Sequence, residues 1–172
     1  MNEASLIGLF VATVSFGGLL YLAALGELLA EKAGVLNLGV EGMMAIGAVT
    51  AFIAGVELEN PWAALVVAMI SGAALASVHG FFTVALGAEQ VVSGLSLTIL
   101  GVGLAAYLGK DYVGLPPGAE LEPVQWSGLS DLPWVGPIVF SQAPLVYLAL
   151  VMGVAISLVL SKTRLGLALR AA

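Results

Sequence analysis

The feature that most constrains this chain is a set of apolar runs, most of them about 18 residues or longer, the length a helix needs to cross a hydrocarbon core roughly 30 Å thick. Five such runs stand out, covering residues 4–29, 36–56, 62–86, 91–108 and 143–160. Only 9% of the residues are charged and 60% are hydrophobic, whereas soluble domains are about one-quarter charged. The fold class that follows is all-α: a polytopic transmembrane helical bundle of about five spans, forming a single transmembrane domain over residues 1–172.

The same composition excludes much chemistry. There is no cysteine and one histidine, His79, so disulfides, thiolate sites and a histidine metal cluster are ruled out together, and neither a metal nor a cofactor is expected. No catalytic triad, paired-carboxylate site or phosphate-binding loop is visible. The net charge of −6 says little about nucleic acid, because most acids fall in short loops. The N-terminus, Met1–Ser5, lacks the basic region of a secretory signal, and the first run is too long for one; it reads as a retained span.

Residues 110–142 form the only long polar stretch and hold Pro116, Pro117, Pro123, Pro133 and Pro137. Such a segment cannot cross lipid as a regular helix and is expected as an exterior loop. Lys32, Lys162, Arg164 and Arg170 fall on one side of the five spans and Lys110 on the other. Positive residues favour the cytoplasm, so the N-terminus is expected outside and the C-terminus inside. Trp62, Trp126 and Trp134 then sit at the outer interface, where tryptophan is enriched.

Ala68, Gly72, Ala76 and Gly80 recur every fourth residue of the third run, a small-residue seam that admits a neighbouring helix, either within the fold or in a dimer. His79 lies beside it and reads as a hydrogen-bonded packing residue, with a substrate or proton role as the alternative. The stretch "GVLNLGVEGMM" places Asn37 and Glu41 at i and i+4, on one face of a helix. An ionisable group in a span normally faces a bundle interior or an aqueous cavity, so Asn37 and Glu41 either cap the helix entrance or border a path or gate. A second polar cluster, "AEQVVSGLSLT", contributes Glu89, Gln90, Ser93, Ser96 and Thr98, of which the serines and threonine can also bond back to their own helix. At the other end "SKTRLGLALRAA" carries Lys162, Thr163 and Arg164 at the membrane boundary and opens an amphipathic helix over Leu165, Gly166 and onward to Arg170. That helix is either interfacial or a docking element.

Three blocks in order, "AEKAGVLNLGVEGMMAIGA", "EQVVSGLSLTILGVGLAAYLG" and "TRLGLALRAA", resemble the permease subunits of bacterial and archaeal ABC importers in the branched-chain amino acid, ribose and nucleoside group. The likeness is nearest to the simple-sugar and nucleoside type. It implies a multi-pass subunit of the inner or plasma membrane that is not itself an enzyme. Such a subunit works with a second permease, cytoplasmic ATPase subunits and an extracytoplasmic solute-binding protein. Asn37, Glu41, Gln90, Ser93 and Thr98 would border the path for a nucleoside or similar small polar solute. Ribose-like sugars and branched-chain amino acids are the alternatives. Thr163, Arg164, Leu165, Gly166 and Arg170 would begin, within 162–172, the cytoplasmic loop that couples to the ATPase. Permeases of this group continue beyond the segment matching "LRAA", so the resemblance implies an N-terminal half. A truncated assembly or regulatory protein is the rival from another class.

Overall fold

The computed structural model describes residues 2–171, with the side chains of Arg170 and Ala171 outside that description. The described residues form helices α1 (Glu3–Lys32), α2 (Val40–Leu58), α3 (Pro61–Gly80), α4 (Gln90–Gly109), α5 (Val135–Val139), α6 (Pro144–Lys162) and α7 (Arg164–Ala171), with no strand. A π-helical turn, Phe81–Ala85, prolongs α3, and a 3-10 turn, Lys110–Tyr112, closes α4. Five segments are long and apolar enough to cross a membrane: Glu3–Lys32, Val40–Leu58, Pro61–Ala85, Gln90–Tyr112 and Pro144–Lys162. All five expected spans are therefore present as helices.

One boundary differs from expectation. The second span was expected from Leu36, but α2 starts at Val40. The cause is local. Gly34 takes φ +80°, and the amides of Gly34 and Val35 return to the carbonyls of Glu31 (3.0 Å) and Ala30 (2.9 Å). This glycine stop ends α1, and only glycine adopts the left-handed conformation without cost. Asn37 Oδ1 then accepts the Gly39 amide at 3.0 Å, a side-chain bond that competes with helix formation. Asn37 thus precedes α2, and the expected helical pairing with Glu41 does not form.

The chain divides into two compact units, Ala30–Glu120 and Met1–Leu29 together with Leu121–Ala172. In the first, α2 packs against both α3 and α4. Its contact with α4 is set by glycine. A Cβ on Gly42 would lie 2.8 Å from Thr98 Cα, and one on Gly101 would lie 2.6 Å from the Gly42 backbone. Gly94, Leu97 and Gly101, spaced i, i+3, i+7, form the buried stripe of α4. The contact with α3 is looser: Thr50 and Ser71 share a hydroxyl bond of 2.7 Å, and a Cβ on Gly47 would meet the Ala68 carbonyl at 3.6 Å. Of the small-residue row on α3, Ala68 and Gly72 come near α2, whereas Ala76 is exposed and Gly80 has open space beside it. A step of four residues turns about 40° beyond a full helical turn, so the row drifts off the face it starts on.

In the second unit α1 crosses α6 where Val146 covers Gly18 and the Tyr21 ring lies over Gly153. Gln142, 1% exposed, ties the loop to α1 and α5: it accepts from the Ser15 hydroxyl at 2.6 Å, donates to the Ile138 carbonyl at 2.9 Å, and its backbone carbonyl accepts from Val124 at 3.0 Å. α7 folds back on α6, with Gly166 against the Val159 and Leu160 backbone.

Overpacking a tight seam costs about 1–3 kcal/mol. Gly101→Ala should therefore destabilise the purified protein by that amount in detergent unfolding. Gly103→Ala, with nothing within 4 Å of the new methyl, should be neutral or stabilising by about 0.5–1 kcal/mol. Equal effects at the two glycines would contradict the packing.

Candidate functional site

Residues 36–38 run without helical bonds between two membrane helices, which leaves backbone groups in need of partners. In a membrane such backbone is tolerated only where protein or an aqueous cavity satisfies it. Here side chains from α3 and α4 do so. Gln90, the first residue of α4, accepts the Leu36 amide at 2.7 Å and donates to the Gly34 carbonyl at 3.2 Å. His79 Nε2 meets the Leu36 carbonyl at 3.2 Å. Thr98 Oγ1 donates to the Leu38 carbonyl at 2.8 Å. The glycine seam makes that last reach possible, since the short threonine side chain can bridge only where the helices nearly touch.

His79 is 2% exposed, and its second nitrogen, Nδ1, lies 3.1 Å from Ser93 Oγ. A carbonyl only accepts, so Nε2 carries a proton. With one ring proton, Nδ1 accepts from the Ser93 hydroxyl. The packing histidine expected from sequence thus has two partners, one of them a backbone atom 43 residues earlier in the chain. The signal that could have found it is the short connection from α3 to α4, which forces the end of one helix to lie beside the start of the next.

The structure therefore gathers Asn37, Gln90, Ser93 and Thr98 around one unwound segment. Asn37 also donates toward Met43 Sδ at 3.5 Å. Glu41 behaves differently. It lies in the first turn of α2, exposed, and the helix has no side-chain cap, so its carboxylate does not hold the entrance amides. Ser96 bonds back to the Val92 carbonyl at 2.7 Å, while Glu89 caps α4 through the amides of Val91 (3.1 Å) and Val92 (2.6 Å). Behind Ser93 a mainly apolar groove of about 410 Å³ runs between α3 and α4, lined by Val78, Phe82, Val92, Leu97 and Leu100. Among the described residues no group of three or more His, Asp or Glu is placed to hold a metal ion.

In the other unit Thr163 caps α7, accepting the Gly166 amide at 3.2 Å and donating to the Val159 carbonyl at 2.7 Å. Arg164 is exposed, Leu165 is 71% exposed, and Gly166 is buried against α6. Arg170 lies in α7 by its backbone, with its side chain outside the described residues.

Residues 9–172 match the family model described as branched-chain amino acid transport system / permease component. A protein of Haloferax volcanii, provisionally named a glucose ABC transporter permease, is 41% identical over 93% of this chain and 50% of its own length. The guanosine ABC transporter permease protein of Bacillus subtilis is 32% identical over 99% of this chain and 57% of its own length. The nucleoside ABC transporter permease protein of Lactococcus lactis is 30% identical over the same shares, 99% and 57%. The chain thus spans about half the length of the curated relatives it matches. No solved structure gives a significant match.

Leaving a buried backbone group without its partner costs about 1–3 kcal/mol. Gln90→Leu strands the part-buried Leu36 amide, so hydrogen–deuterium exchange across residues 34–38 should accelerate by about tenfold while exchange in the middle of α3 stays slow. Unchanged exchange at these residues would remove the clamp.

Proposed function

The chain belongs to the branched-chain amino acid transport system / permease component family, and on that premise we propose that it supplies part of the translocation path of an ABC importer for a nucleoside or related small polar solute. The observation that carries the proposal is the break before α2. It presents a half-buried Asn37 and an exposed Glu41 where the connection from α1 enters a span. A carboxylate placed there is costly against lipid and inexpensive against water or a polar solute.

The names of two relatives, for guanosine and for nucleosides, support the nucleoside reading. A sugar is the second reading, favoured by the relative named for glucose, which shares 41% identity with this chain. In either case ATP is hydrolysed by cytoplasmic partner subunits. A second permease completes the path and an extracytoplasmic binding protein delivers the solute. The end of α6 faces the cytoplasm, and Thr163, Arg164, Leu165, Gly166 and Arg170 start the coupling loop. The stretch 110–142 lies outside.

In proteoliposomes holding the whole transporter, Glu41→Gln with Asn37→Ala should lower ATP-driven uptake of radiolabelled guanosine or glucose by about tenfold or more, the effect of removing interactions worth 1–3 kcal/mol. Uptake at the wild-type rate would end the proposal that these side chains border the path.

A further inference from the structure

We propose that His79 is a positioning residue for solute passage, acting through the Leu36 carbonyl to set the direction in which Asn37 and Glu41 are presented. The proposal rests on the reading that those two side chains border the path. Both peptide planes that flank Leu36 are held: the one on its amide side by Gln90 at 2.7 Å, the one on its carbonyl side by His79 at 3.2 Å. The second plane carries the Asn37 nitrogen. Asn37 in turn holds the Gly39 amide, one residue before α2 begins. A rotation allowed at Leu36 would pass directly into the entrance of α2.

Plain packing accounts poorly for a histidine here. An imidazole buried in a span costs more than an aliphatic side chain of similar size unless both nitrogens are satisfied. Both are satisfied, and one partner is the carbonyl that no other side chain in this network reaches. Gln90 serves Leu36 N–H and Gly34, Thr98 serves Leu38, and Asn37 serves Gly39. Losing His79 would therefore leave the segment tethered at its other points but free to turn at one.

The surrounding geometry points the same way. His79 and Gln90 grip a single residue from opposite sides of the π-helical turn Phe81–Ala85 and of Gly87, whose φ is +65°. Thr83 Oγ1 braces the turn against the His79 carbonyl at 2.8 Å. π-helical turns are rare and occur frequently at functional sites. The wide turn is what sets the α4 entrance and the ring of α3 on either side of Leu36.

In a whole transporter freed of any other cysteines, single reporter thiols can be placed in this cysteine-free chain, one at Val35 beside the clamp and one at the buried Ala64. His79→Leu should raise maleimide labelling at position 35 and lower radiolabelled guanosine or glucose uptake, each by about tenfold, while position 64 stays protected. His79→Gln, whose amide reaches the place of Nε2, should restore both. Unchanged labelling at 35, or failure of Gln to restore it, overturns the positioning role. Faster labelling with Gln rescue but undiminished uptake would keep the clamp and sink the path reading beneath it. If position 64 becomes labelled, His79→Leu has unfolded the helices. Ser93→Ala, which removes only the Nδ1 contact, then carries the same comparison with a smaller expected change.

Discussion

Backbone that makes no helical bonds between two membrane spans needs partners elsewhere in the protein, and residues 36–38 find them in side chains from two other helices. Gln90 and His79 hold Leu36 at its amide and its carbonyl, and Thr98 holds Leu38. This requirement explains why α3 and α4, largely apolar, carry a histidine, a glutamine and a threonine where they meet the connection before α2. Were those side chains aliphatic, the segment would have to satisfy itself by becoming helical. Asn37 would then join α2 and share a face with Glu41.

The polar clamp depends in turn on a packing feature with no polarity of its own. Gly42 and Gly101 bring the α2 and α4 backbones together, and Gly94 does the same for α4 and the segment at Leu38. At an ordinary helix separation of about 8–10 Å a threonine could not reach a carbonyl on the neighbouring chain segment. Hydrogen bonds and close packing are the forces that remain between helices when lipid is as apolar as their side chains, and here the same contact uses both. The other unit repeats the pattern with different residues, Tyr21 over Gly153 and Gln142 anchoring the loop that precedes α6.

Much of this was legible residue by residue. The five spans follow from hydropathy, because a run of apolar residues has only one stable conformation in lipid. The polarity of the α4 entrance marked Gln90, Ser93 and Thr98 as a group; Gln90 and Thr98 bond the segment directly, and Ser93 bonds the His79 that does. The start of α2 was not legible. Leu36 and Leu38 are as apolar as the helix they precede, and the stop lies in the φ of Gly34 and a local bond of Asn37. The row on α3 was legible as spacing but not as a partner choice, since a four-residue repeat drifts around the helix. Glu41 could be marked as costly in a span, yet whether it held the entrance amides could be decided only by where its side chain lies.

The sequence by itself determined that this chain is a bundle of membrane-crossing helices, in which order the spans come, and which few polar residues had to be accounted for. Those are properties of composition along the chain, and they hold whatever touches what. Only the tertiary structure decided that Leu36 is gripped from both sides, that His79 finds a carbonyl far from it in sequence, and that Glu41 is left exposed. Each of these depends on where two helices approach closely enough for a hydrogen bond, and that distance is set by which glycines face one another.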